Sequence, residues 1–194
     1  PNRVGEYLPW DAWNVAPDYR DAISAYMQDE PVSRDYLQFI VEELKPFVDA
    51  NYRTRPGRDD TLLMGSSMGG LISLYALVRY PGVFGGAACV STHWPSTMMP
   101  DNPEANEPFL DFLRESIPAP GKHRIYFDFG TAELDALYEP HQRQVDGVMR
   151  QLGYEPGPLW QTRKFEGEGH NEPAWNRRAH IPLTFLLGTD NNKE

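Results

Sequence analysis

The sequence predicts an α/β fold built on a largely parallel sheet, and three observations carry that reading. Short apolar or β-branched runs that end in glycine alternate with longer stretches at helical spacing. One of those junctions carries Gly65-Ser66-Ser67-Met68-Gly69, a G-x-S-x-G pattern between a predicted strand and a predicted helix. The loops after the later predicted strands carry carboxylates and then a glycine-flanked histidine, in that order.

The elements follow one another as such a fold requires. From Ser33, read as an N-cap, the residues Tyr36, Leu37, Ile40, Val41 and Leu44 recur on one face, and Pro46 is expected to end the helix. Residues 61–64 form a short apolar run that stops at Gly65, which predicts a buried strand. Residues 68–80 are apolar almost all round, which predicts a helix buried on most sides. Residues 87–90 read as a second strand, 95–103 as a Pro- and Met-rich loop, and 104–116 as a helix. Arg124 to Phe129 has strong β propensity and ends at Gly130. Pro140 is placed to open a helix that continues through Val145, Val148, Met149 and Leu152 to Gly153. Residues 159–165 predict a fourth strand and 174–187 a closing helix.

With 194 residues, no repeat, no low-complexity tract and no linker, the chain is expected to form one domain over residues 1–194. A hydrophobic share of 40 %, with five Trp, ten Tyr and nine Phe, excludes intrinsic disorder. Lys and Arg number 18 against 28 Asp and Glu. The resulting charge of −10 argues against nucleic acid or an anionic membrane as a partner. The single cysteine, Cys89, rules out an intrachain disulfide framework and a cysteine-rich zinc site. No apolar run approaches a membrane span and no signal-peptide pattern opens the chain, so it reads as soluble, with the cytoplasm favoured over secretion.

In parallel sheets, active groups gather beyond the carboxyl ends of the strands. Small residues around Ser67 allow the tight, strained turn that lifts a nucleophile above the sheet. The Met68 backbone N–H beside it would serve as an oxyanion donor. A serine hydroxyl needs a histidine to accept its proton, and that histidine needs a carboxylate to fix its tautomer. Glu133 and Asp135 are both placed to be the carboxylate, and His170, in Gly167-Glu168-Gly169-His170-Asn171-Glu172, to be the base. An acidic metal loop formed by Glu166, Glu168 and Glu172 around His170 is the weaker alternative, because no second imidazole is near in sequence. His93 and Trp94, after the second strand, are expected to line a substrate pocket, with Met98, Met99, Trp10 and Trp13 as further contributors. No phosphate loop and no cofactor are indicated.

With these residues in place, the chain resembles the esterase family of α/β-hydrolases that includes enterochelin esterases, feruloyl esterases, S-formylglutathione hydrolases and mycolyltransferases. The resemblance runs through Asn2-Arg3 with Glu6-Tyr7, Glu43-Leu44-Lys45-Pro46 and Tyr52-Arg53-Thr54. It continues through residues 65–70, Gly130-Thr131 to Leu134-Asp135, Tyr138-Glu139-Pro140 and Gly169-His170-Asn171-Glu172. It implies an α/β-hydrolase fold and hydrolysis of small carboxylic esters through an acyl-enzyme. Ser67 would be the nucleophile, His170 the base and Asp135 the acid, with Glu133 as the alternative. Members of the family carry several strands ahead of the Asn-Arg…Glu-Tyr segment, including the loop with the second oxyanion donor. This sequence is therefore expected to form an N-terminally truncated version of the fold, whose open sheet edge invites pairing with another copy. A non-catalytic interaction domain is the rival expectation.

Overall fold

A computed structural model describes residues 3–14, 17–24, 30–98 and 106–188. Short helices come first: α1 (Arg3–Tyr7), α2 (Trp10–Trp13), α3 (Pro17–Ser24) and α4 (Ser33–Gln38). A π-helical stretch (Phe39–Leu44) then joins α4 to α5 (Lys45–Asn51). The sheet follows, with β1 (Leu62–Ser66), α6 (Met68–Arg79), β2 (Gly86–Val90), α7 (Glu107–Ser116) and β3 (Arg124–Gly130). After β3 come α8 (Tyr138–Gln151), β4 (Trp160–Phe165), α9 (Glu172–Arg178) and α10 (His180–Leu187).

All three strand pairings are parallel, and the order β1-β2-β3-β4 follows the sequence. Among the described residues this is a wholly parallel, helix-flanked sheet, the α/β architecture expected from the alternating elements. Side chains alternate across it with period two. Ala87, Cys89, Ile125 and Phe127 face the main core with residues of α6, α7 and α8, whereas Ala88 and Tyr126 face Leu186 of α10. The register places Ser66 beside Val90 and Val90 beside Asp128, so β1 and β2 end level and β3 runs two residues further, to Gly130. That alignment gathers the loops that follow Ser66, Val90 and Gly130. Among the described residues no strand precedes β1, and no helix is long and apolar enough to cross a membrane.

Three local expectations are corrected. Ser33 is the first residue of α4 and not its cap. Its hydroxyl accepts from the Trp10 backbone N–H at 3.0 Å and pins α2 to α4. Pro46 does not end the helix: it sits in the first turn of α5, and the chain stays helical to Asn51. Proline has no N–H to donate and its ring crowds the carbonyl four residues back, and the wider π-helical turn before it relieves both. The closing helix is broken at Ala179, because Pro182 cannot donate to the Arg178 carbonyl and so permits only a fresh helical start. Of the helix expected over 104–116, residues 107–116 are seen as α7, and its first residues lie outside the described ones, as does Met99.

The front helices are held to α6 and to one another by polar contacts as well as packing. Tyr75 of α6 donates its hydroxyl to Asp11 at 2.6 Å, Arg34 pairs with Asp11, and the Arg34 guanidinium stacks on Trp10 at 3.6 Å.

Candidate active site

Ser67 is the single residue between β1 and α6, and its backbone has φ +58 and ψ −126. A non-glycine residue there is strained by about 1–3 kcal/mol, and the surroundings hold it. Its N–H donates to the Val90 carbonyl at 2.9 Å, and its own carbonyl accepts from the His93 N–H at 3.2 Å. Gly65 makes the turn possible: a Cβ there would lie 2.2 Å from the Gly69 carbonyl oxygen. Met68 buries its side chain in the core, and its N–H is the first of α6, without an intrahelical acceptor.

His170 Nε2 lies 2.9 Å from Ser67 Oγ, and His170 Nδ1 lies 2.6 Å from Asp135 Oδ1. An ionised carboxylate only accepts, so Nδ1 carries the proton and donates it to Asp135. Nε2 is then left as the acceptor facing Ser67. Two edge-on rings hold the imidazole, Trp175 at 5.0 Å and Tyr138 at 5.5 Å between centroids. Burial alone would raise the Asp135 carboxyl. Hydrogen bonds from His170, Ser91 and the Gly130 N–H outweigh it and hold the group below the usual carboxylate value. Gly130 is needed for this approach, since a Cβ there would stand 2.0 Å from the Glu168 carbonyl oxygen.

Glu133 goes elsewhere. Its backbone has φ +55, and its carboxylate accepts from Asn171 Nδ2 at 3.0 and 3.1 Å. The acids around His170 are engaged in a similar way, Glu166 with Lys164 and Glu168 with Arg177. Asn171 has a second task, accepting from the Ala174 N–H at 2.9 Å as the N-cap of α9.

His93 stands beside this line of residues. Its Nδ1 is 2.7 Å from the Tyr138 hydroxyl, and burial, with smaller effects of His170 and His141, pushes its imidazole down to about 4. Burial, and then Asp135, pushes the Tyr138 phenol upward. At neutral pH, therefore, Tyr138 donates and His93 accepts. Trp94 is corrected to a core residue: it is 1 % exposed, packs on Phe109 and Phe127, and donates to Gln142 at 3.1 Å. Trp13 is likewise in the core, Trp10 lies under Arg34, and Met98 packs against the core. Sequence reasoning missed Ser91, Trp175 and Arg178, which meet behind Asp135. The one signal for the last two was their i, i+3 spacing after His170.

Residues 7–181 match the family model described as "Putative esterase". The uncharacterised protein YbbA of Bacillus subtilis is 26 % identical to the chain over 194 aligned residues, covering 96 % of the chain and 70 % of YbbA. Among solved structures, an IroE-like serine hydrolase from Shewanella oneidensis superposes with a TM-score of 0.66 at 15 % identity, covering 96 % of this chain and 56 % of its own. The enterobactin esterase FES from Shigella flexneri gives a TM-score of 0.62 at 20 % identity, covering 79 % of this chain and 36 % of FES. The chain thus spans between about a third and 70 % of the length of these proteins. With a family match over nearly its whole length, on a sheet of the hydrolase type, the chain belongs to the esterase family of α/β-hydrolases.

Proposed function

We propose that this protein hydrolyses carboxylic esters through an acyl-enzyme on Ser67. The observation that carries the reading is the unbroken pair of hydrogen bonds from Ser67 Oγ through His170 to Asp135. His170 Nε2 removes the hydroxyl proton as Oγ attacks the ester carbonyl, and Asp135 stabilises the imidazolium that forms. The oxygen of the tetrahedral intermediate develops charge beside the Met68 N–H, at the positive end of α6. His170 then passes its proton to the departing alkoxide, which leaves as the alcohol, and the acyl group stays on Ser67. Water repeats the cycle: His170 takes a proton from it, the hydroxide oxygen adds to the acyl carbonyl, and the acid is released as Oγ recovers its proton.

His93 is the substrate contact that fits best. Neutral and tied to Tyr138, it brings a polar edge beside Ser67 without a buried charge. With a net charge of −10 on the chain, small neutral or cationic esters suit the site better than anionic ones.

The test is hydrolysis of short-chain p-nitrophenyl esters by the wild type and Ser67→Ala. Turnover that falls to background in the variant supports the reading. Equal, background-level rates from two folded proteins would favour the non-catalytic interaction domain instead.

A further inference from the structure

Behind Asp135 lies a second buried polar cluster, centred on Ser91. Its members are Ser91, Asp128, Asp135 and Arg178, and none is more than 3 % exposed. Ser91 follows the last residue of β2 in a left-handed conformation, φ +43, which costs a serine about 1–3 kcal/mol. Its N–H is held by Asp128 from two sides, the backbone carbonyl at 2.9 Å and Oδ1 at 3.1 Å.

The Ser91 hydroxyl has three polar neighbours. Trp175 Nε1 lies at 3.0 Å, Arg178 Nη2 at 2.6 Å and Asp135 Oδ2 at 2.5 Å. Indole and guanidinium nitrogens only donate, so they take both lone pairs of the oxygen. A hydroxyl has one proton, which is left with a single destination, Asp135. The Gly130 N–H donates to the same carboxylate oxygen at 2.6 Å. With Oδ2 filled, Oδ1 is the oxygen that faces His170. Arg178 Nη2 also donates to Asp128 Oδ1 at 3.1 Å and stands 3.8 Å from Asp135 Oδ2, so one guanidinium lies between two buried carboxylates.

We propose that Arg178, acting through Ser91, is a positioning residue for Asp135 and hence for His170. The inference rests on the serine-esterase reading above and deepens it. Trp175 and Arg178 sit three residues apart on α9, the helix that follows the histidine loop, and Trp175 also packs edge-on against His170. One short segment thus supplies the base, its ring contact and the cation that directs the Ser91 proton. Burial pushes the Asp128 carboxyl up, and Arg178 is the foremost of the groups that oppose it. Asp128 holds the same Arg178 nitrogen that donates to Ser91.

Removing Arg178 alone would leave buried carboxylates unpaired, which destabilises any protein irrespective of catalysis. The decisive variant is therefore R178M/D128N, which removes one positive and one negative charge together. It is compared with the wild type, R178K and S91A for kcat and KM on p-nitrophenyl acetate and for the thermal midpoint. The expected result is a folded double variant whose kcat falls by roughly 10²-fold, the penalty of a small misplacement, while KM changes little. R178K, which keeps the charge and a donor, should lose less. S91A, which leaves every charge in place, should also lose kcat without losing its fold, and it decides the question should the double variant fail to fold. An active wild type beside folded variants of undiminished kcat would overturn this inference alone. A wild type without turnover would overturn the esterase reading and the inference with it.

Discussion

Asp135 meets His170 Nδ1 at 2.6 Å through one carboxylate oxygen, while Glu133, two residues earlier, is bound to Asn171. The turn between them explains the difference. Glu133 has φ +55 and opens a 3₁₀ turn over Glu133–Leu137, which carries Asp135 inward to full burial. Asp135→Asn should therefore lower kcat by roughly 10³–10⁴-fold, because the amide holds the imidazole in the wrong tautomer. Glu133→Gln should keep activity to within about tenfold, since an amide oxygen can still accept from Asn171. Steady-state kinetics on both variants checks this, and the reverse ranking would assign the acid to Glu133.

His93 should leave a mark on stability. Its imidazole is ordinary at 6.5 in the unfolded chain and lies at about 4 in the fold. As pH falls below 6.5, the unfolded chain takes up a proton that the folded one refuses, so stability falls until pH reaches about 4. The slope from this one group is at most about 1.4 kcal/mol per pH unit. His93→Gln, which can still accept from Tyr138, should flatten the stability curve in that window. Urea unfolding of both proteins at several pH values measures it, and parallel curves would contradict the account.

Asn171 joins the loop after His170 to the start of α9 as an N-cap. Asn171→Ala should cost about 1 kcal/mol of stability from the lost cap. It also frees Glu133. The loss should appear as a lower urea midpoint with an unchanged slope, and an unchanged midpoint would show that the cap is replaced by water.

How much of this was legible in the sequence depends on the range of each interaction. Ser67 announces itself locally, because its strained turn between strand and helix leaves no room for a side chain at Gly65. His170 and a loop carboxylate were legible by position, each a few residues beyond a strand, but position left Glu133 and Asp135 open and only the family resemblance favoured Asp135. The parallel character of the sheet followed from alternating elements. Ser91 carried no such mark: its role comes from Asp128, Asp135, Trp175 and Arg178, which lie up to 87 residues away in sequence. Trp94 was misread because loop position suggested a pocket, whereas the ring is packed between Phe109 and Phe127. Pro46 was misread because its helix-breaking tendency was judged alone, without the π-helical turn that accommodates it.

The most direct test of the central claim is covalent labelling with a fluorophosphonate, followed by mass spectrometry of the intact chain and its peptides. A serine activated by His170 should take up one equivalent, with the adduct on the peptide that contains Ser67 and none in Ser67→Ala or His170→Ala. Wild-type protein that is folded and remains unlabelled, or an adduct on another residue, would contradict the assignment of Ser67 as the nucleophile.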